Sequence, residues 1–297
     1  MSYVAFAFIA YALFAFTNVL DKVVLGHRRV DPLGYVLVSA AWSPLVLLTL
    51  PFARLSAPGL PRMLAAIAAG VCFFWMLFPY FKAAEREEIT RVAPLWELTP
   101  IFVWILARFT LGEELGASGG VAFSLLVVGG LLLAARRPRD LIVPSRALLL
   151  MVLATSLLAA HNTLAAVVVR GFDPVGGYLL IRGGMVLAAL GALLRENSRA
   201  RLRATLRDHT LGTHAIILST VILSVTGFLF LMRSLQEGPV AIVSALSGVG
   251  GIFVLGFTMI VARIRPGLLV EETSRGILLQ KLVALALLSL GIALLSR

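Results

Sequence analysis

Long apolar runs alternate with short polar breaks along the whole chain, and that pattern divides it before any single residue is considered. Ten runs read as membrane-crossing helices: residues 3–25, 33–52, 61–84, 89–111, 118–135, 147–169, 175–194, 211–232, 240–262 and 276–296. About 20 residues at 1.5 Å rise cover a ~30 Å hydrocarbon core, which is close to the length of each run. Turn-forming residues fall between them: Asp31-Pro32, Pro58-Gly59, Gly112, Pro138, Asp173-Pro174, Gly238-Pro239 and Pro266-Gly267. The alternating ~10-residue segments of a transmembrane barrel are missing. The expected fold class is therefore all-α integral membrane, with ten transmembrane helices. The connections are too short to hold an inserted soluble domain.

The first half of the pattern returns in the second. Residues 15–25 read AFTNVLDKVVL and residues 159–169 read AAHNTLAAVVV, with identities at Ala15, Asn18, Leu20, Val23 and Val24. Asp31-Pro32-Leu33-Gly34 returns as Asp173-Pro174-Val175-Gly176, and Ile101-Phe102-Val103 as Ile252-Phe253-Val254. Gly130 in the fifth run answers Gly291 in the tenth. The chain thus divides into a five-helix half over 1–140, ending in a basic linker, and a second over 141–297. Five crossings are an odd number, so the second half enters from the opposite side. Inverted repeats of this kind place a binding site between the halves, near mid-membrane.

Composition agrees and charge adds an orientation. Sixty per cent of the residues are hydrophobic and 14% charged, with a mean hydropathy of +0.97. Soluble domains carry near 25% charged residues, so a multi-pass protein of the plasma (inner) membrane, with the lipid bilayer as its solvent, is expected. The formal charge of +11 would suit nucleic acid, but the basic residues lie in the short connections, where orientation accounts for them. No nucleic-acid partner is expected. The side reached after odd-numbered runs holds 18 Lys and Arg, including Arg28, Arg29, Arg136, Arg137, Arg139 and the run 195–207. The other side holds six: Arg54, Arg62, Arg108, Arg170, Arg233 and Arg297. The positive-inside rule puts the richer side in the cytoplasm and both termini outside. Cys72 is the only cysteine, which excludes an intrachain disulfide; no cofactor and no metal are expected. Met1-Ser2 offers no basic lead-in and the first run is too long, so no cleavable signal is expected.

The fourth run, ITRVAPLWELTPIFVWILARFTL, carries the most unusual chemistry. Glu97 sits near its middle, with Pro94 and Pro100 three residues either side and Trp96 and Trp104 close by. A carboxyl at bilayer depth costs a few kcal/mol or more, so it should face protein or water. The prolines free the carbonyls of residues 90 and 96 for other partners. Helical spacing puts Thr90, Ala93, Pro94, Glu97, Ile101, Trp104 and Arg108 on one face. Arg182 is the other deep charge, and neither it nor Glu97 has a charged counterpart in the opposite half. Their depths differ by roughly 7–8 Å in the ~30 Å core. Two readings follow: a divided substrate site, with Arg182 for an anionic group and Glu97 for a cation or a coupling proton, or a structural ion pair. His161-Asn162, opposite Thr17-Asn18, reads as polar lining or as an Asn18–Asn162 hydrogen bond across helices. Ser244, Ser247 and Gly248, with Gly250-Gly251, form a small-residue stretch that exposes backbone to a ligand or packs closely. Trp42, Trp75, Trp96 and Trp104 with Tyr80 raise an aromatic cage for a quaternary ammonium. The run 82–91 reads as a solvated turn, with Glu85 near the cavity mouth.

With Leu98-Thr99-Pro100-Ile101-Phe102 in the fourth run, Leu111-Gly112-Glu113 after it and Gly129-Gly130 in the fifth, the chain resembles the EamA branch of the drug/metabolite transporter superfamily over nearly its whole length. The resemblance implies a ten-helix secondary transporter whose cavity is lined by helices one, three, four, six, eight and nine. Two features depart from it: Gly250-Gly251 stands where Thr99-Pro100 has its repeat position, and Glu271-Glu272 is out of register. Family members of this size usually keep both termini in the cytoplasm, against the loop charges. The expected function is secondary transport of a small zwitterionic or cationic metabolite by alternating access, with proton coupling at Glu97, by a monomer or homodimer. Transport of cationic drugs or choline-like ions, and lipid flipping, share the fold. An intramembrane enzyme is not expected: H-E-x-x-H is missing, and Glu87-Glu88-Ile89-Thr90-Arg91 is one residue short of a membrane-protease spacing. No run carries the continuous charged stripe of a channel.

Overall fold

A computed structural model describes residues 2–24, 30–53, 57–86, 93–134, 146–264 and 275–295. The loop arginines 28, 29, 54, 91, 136, 137, 139 and 297, with Thr90, Glu87, Glu88, Glu271 and Glu272, lie outside the described residues, as does the side chain of Glu85. Among those described, all regular structure is helical. The helices are α1 (Tyr3–Lys22), α2 (Pro32–Ala41), α3 (Leu60–Arg86), α4 (Thr99–Leu111), α5 (Ala117–Ala134), α6 (Arg146–Val169), α7 (Pro174–Leu193), α8 (Glu196–Asp208), α9 (Leu211–Glu237), α10 (Val240–Ala245), α11 (Ser247–Ile264) and α12 (Arg275–Leu295). Within the described residues, six stretches are long and apolar enough to cross a membrane: Tyr3–Asp21, Pro32–Phe52, Leu60–Tyr80, Leu148–Val169, Pro174–Leu193 and Leu211–Glu237. Ala117–Leu133, Val240–Val254 and Leu279–Leu295 are apolar but shorter. The protein is a multi-pass, all-helical membrane protein.

Local chemistry explains where these helices start and bend. Asp31 and Asp173 cap α2 and α7 in the same way: each carboxylate accepts the amide of the glycine three residues on, at 2.8 Å, with proline at the first helical position. The two Asp-Pro-x-Gly motifs are thus one structural device used twice. The second run, read as one helix, instead changes at Trp42: α2 gives way to a 3-10 helix over Ser43–Phe52 that contains Pro44 and Pro51. Proline has no amide hydrogen to continue the α ladder, and the tighter winding absorbs the mismatch. The basic run 195–207, read as a connection, is mostly α8. Its buried Thr205 lies against Gly34, where a side chain on the glycine would strike the Thr205 hydroxyl, and Arg201 pairs with Asp31.

The fourth and ninth runs are each interrupted along their length. Ala93–Leu98 winds as a 3-10 helix before α4, and α10 stops at Ala245 before α11 resumes at Ser247. Two crossings bring helices into backbone contact through glycine. In one, Gly70 of α3 and Gly184 of α7 each lie against the other helix's backbone, at Ile181 and Ile67. In the other, α5 and α12 present the same spacing to each other: Ala122, Leu126 and Gly129 against Ala284, Leu288 and Gly291. A Cβ on Gly129 would come within 2.9 Å of Leu288, and one on Gly291 within 3.0 Å of Leu126. Small residues are what let helices approach this closely in lipid. Across this crossing it is Gly129 that stands to α12 as Gly291 stands to α5.

Candidate functional site

Glu97 lies where the two broken helices meet. It lies in the 3-10 helix before α4, one residue from its end, and its carboxyl packs against Gly130 of α5, where any side chain would collide with it at 2.7 Å. Gly130 in turn abuts Gly248, so this corner is built from glycine on both sides. The hydroxyl of Ser247, first residue of α11, donates to Glu97 Oε2 at a long 3.5 Å, and Tyr11 of α1 lies within range of its charge. The Tyr11 hydroxyl itself donates to the Val243 carbonyl on α10 at 2.9 Å. A carboxyl held by one weak bond, at a point where backbone ladders are interrupted, can take up and release a proton or cation without dismantling its surroundings.

Arg182 occupies a separate place and makes no contact with Glu97; neither the ion pair nor direct joining of the two charges is found. Its side chain is 7% exposed. Nε donates to the Tyr178 hydroxyl at 2.7 Å and Nη1 to the Met185 sulfur at 2.9 Å. The guanidinium carbon stands 5.3 Å from the Tyr178 ring centroid and 5.9 Å from that of Phe228. The Tyr178–Arg182 contact follows from i, i+4 spacing on α7. His161 borders the same Phe228 ring at 6.0 Å, packs on Phe73 at 4.9 Å, and shares a hydrogen bond between Nδ1 and the Ala69 carbonyl at 2.9 Å. Between the two charges run Tyr11, Phe14 and Phe228, with centroids 6.1 and 4.9 Å apart in succession.

The remaining candidates scatter. Trp96 and Tyr80 pair at 4.9 Å, beside Glu97 in the chain. Trp104 is 38% exposed and packs on Phe123, so the helical face drawn through Glu97 and Trp104 does not survive the break at Leu98. Trp75 packs on Phe74 and Phe78, and Trp42 is exposed elsewhere, so no five-ring cage forms. Asn162 is buried and Asn18 exposed, with no hydrogen bond between them. Ser244 is buried within α10. Arg108 reaches Glu114 on the exposed end of α4. An open groove of about 540 Å³, lined by Gly120, Val121, Ser124, Leu125, Val128 and Leu287, shares none of these residues.

Two polar clusters escaped the sequence reading. Asp21, near the end of α1, accepts a hydrogen bond from the Tyr35 hydroxyl, which lies 3.0 Å from Thr220 Oγ1; its charge also reaches Tyr80. The second cluster gathers helix ends on the side of the even-numbered connections. Gly112, at φ 64°, ends α4 in a left-handed turn that glycine adopts without strain. The turn throws Glu113 back, and its carboxylate pairs with Arg170 and accepts the Val240 amide at 3.0 and 2.9 Å. Arg170 also donates to the Gly238 carbonyl, and its own carbonyl accepts from Arg62. Gln236 donates to the carbonyls of Val169 and Phe172, and Ser234 to that of Tyr3.

The sequence matches no family model and no curated protein. Twenty-three chains of solved structures match the fold. One of them, described only as the crystal structure of a protein, covers 98% of this chain and 95% of its own, with a TM-score of 0.70 and 14% identity. At that identity the likeness is one of fold alone.

Proposed function

We propose that the protein is a secondary transporter of small metabolites, resembling the EamA branch, in which two inverted five-helix halves (1–140 and 141–297) alternate access to a site between them. The observation that carries this reading is the Glu97 carboxyl at the junction of two interrupted helices. Interrupted helices near mid-membrane are how transporters of this general design bring polar backbone and ion-binding groups to a substrate. The matched Asp-Pro-x-Gly caps and the reciprocal α5–α12 crossing support the pairing of the halves. Glu97 is the coupling group: it is protonated when substrate leaves and deprotonated when substrate binds, with Ser247 and Tyr11 as its facing partners. The Glu113–Arg170 cluster joins the first half to the second and acts as the gate on its side. A cationic substrate is the second reading, favoured by the Asp21 charge that reaches the Tyr80 ring of the Tyr80–Trp96 pair.

The test is proton movement in liposomes carrying a trapped pH dye, challenged with amino acids, hydroxy acids and quaternary amines in turn. At least one class should drive proton flux through the wild type and none through a folded Glu97→Gln protein. Equal flux in both would remove Glu97 from coupling. Failure of every class to move either protons or labelled solute would overturn the transporter reading itself.

A further inference from the structure

Arg182 presents an unsolved electrostatic problem. A guanidinium cannot be deprotonated in a protein, and burying one without a counter-charge is costly. Here the side chain is 7% exposed and no carboxylate among the described residues pairs with it. Its partners are a phenol, a thioether and two ring faces, and among the described residues no hydrogen bond is made by Nη2. Beside it, His161 is 2% exposed. Its Nδ1 is engaged with the Ala69 carbonyl, and because that partner is an acceptor, the ring hydrogen sits on Nδ1. Nε2 is then a bare acceptor, and it is buried without a partner. The Arg182 charge acts on this ring, and both groups border Phe228. Among the described residues, therefore, this place offers no anion to Arg182 and no donor to His161 Nε2, and Phe73, Tyr178 and Phe228 border it.

We infer that Arg182 and His161 form the substrate subsite for the head group of an apolar monocarboxylate bearing a hydroxyl beside its carboxylate. The carboxylate supplies the missing charge to Arg182, the hydroxyl donates to His161 Nε2, and the apolar body lies among the aromatic rings. A single guanidinium beside a histidine whose Nδ1 is already committed neutralises one charge, which selects against dicarboxylates and phosphate monoesters. This deepens the transporter reading and rests on it for the word substrate, though not for binding.

The experiment is equilibrium binding to the purified full chain in detergent, with four probes: 2-hydroxy-3-phenylpropanoate, 3-phenylpropanoate, the amide of the first and 2-phenylsuccinate. The hydroxy acid should bind tightest. The amide and the dianion should be weaker by roughly 10- to 100-fold, the range expected when a charged hydrogen bond is lost or a second charge is buried unpaired. Arg182→Gln should erase the preference for acid over amide, and His161→Phe should erase the preference for the hydroxy acid over 3-phenylpropanoate while leaving the latter's affinity unchanged. Should Arg182→Gln fail to fold, Arg182→Lys retains the charge without the planar fork and should still lower affinity for the acids. Equal binding of acid and amide, or of the two acids, by the wild type overturns the proposal. Binding of the hydroxy acid without transport in liposomes would leave the subsite standing and sink the transporter reading; proton-coupled transport of another class with no acid binding would do the reverse.

Discussion

Glu97 and Arg182 show what a residue in this protein can and cannot say by itself. Their depth in apolar runs marked both as costly and therefore purposeful, and each does sit in a constructed environment. Their partnership was not legible, because relative depth says nothing about which way a helix faces; Tyr11, Phe14 and Phe228 stand between them. Asp21 was passed over for the opposite reason. It lies at the end of an apolar run beside Lys22, where a charge reads as part of a solvated turn, and only the folded chain brings against it Tyr35, whose hydroxyl also meets Thr220. At this scale Glu97→Asp is informative beyond Glu97→Gln. It keeps the titratable group but withdraws it by one methylene from Ser247, so proton-coupled flux should persist at a reduced rate. Flux in Glu97→Asp as low as in Glu97→Gln would mean that placement matters as much as titration.

Among the elements, stops and breaks were the readable part. The Asp-Pro-x-Gly caps of α2 and α7 follow from side-chain chemistry within four residues. Replacing either aspartate by alanine should cost about 1 kcal/mol of stability, measurable as a lowered unfolding midpoint in detergent. The 3-10 segment Ser43–Phe52 and the surface helix α8 were harder. The first is apolar throughout, so its run looks like a single span despite Pro44 and Pro51, and the second is so basic that its charge concealed its helical period. The α5–α12 crossing gives a sharper expectation. Gly129→Val or Gly291→Val puts extra carbon into backbone-close packing and should destabilise by ~1–3 kcal/mol. If both variants unfold like the wild type, the two helices do not approach as closely as described.

For the whole molecule, the apolar pattern alone revealed an all-helical membrane protein, because the bilayer permits few alternatives. Which end faces the cytoplasm is a separate matter carried by loop charge. The imbalance of 18 basic residues against six predicts that a reporter fused after Arg297 is extracytoplasmic and one inserted within 199–207 cytoplasmic. The reverse result would restore the orientation usual among proteins this chain resembles. Long-range closure was beyond the sequence: Glu113 and Arg170 are 57 residues apart, and nothing local to either names the other.

That cluster also bears on how fast the molecule can change shape. Its bonds are not a row of independent ties, for the Arg170 pair and both bonds from the Val240 amide converge on the one Glu113 carboxylate. Ties that share an atom let go together, so under the transport reading these would open as one step rather than one by one. Under the transport reading, turnover should then rise steeply with temperature, and Glu113→Gln, which weakens the Arg170 and Val240 ties together, should flatten that rise. A cysteine placed at Val240 would report the same event as a labelling rate: slow and strongly temperature-dependent in the otherwise native chain, fast and nearly temperature-independent when Glu113 is replaced.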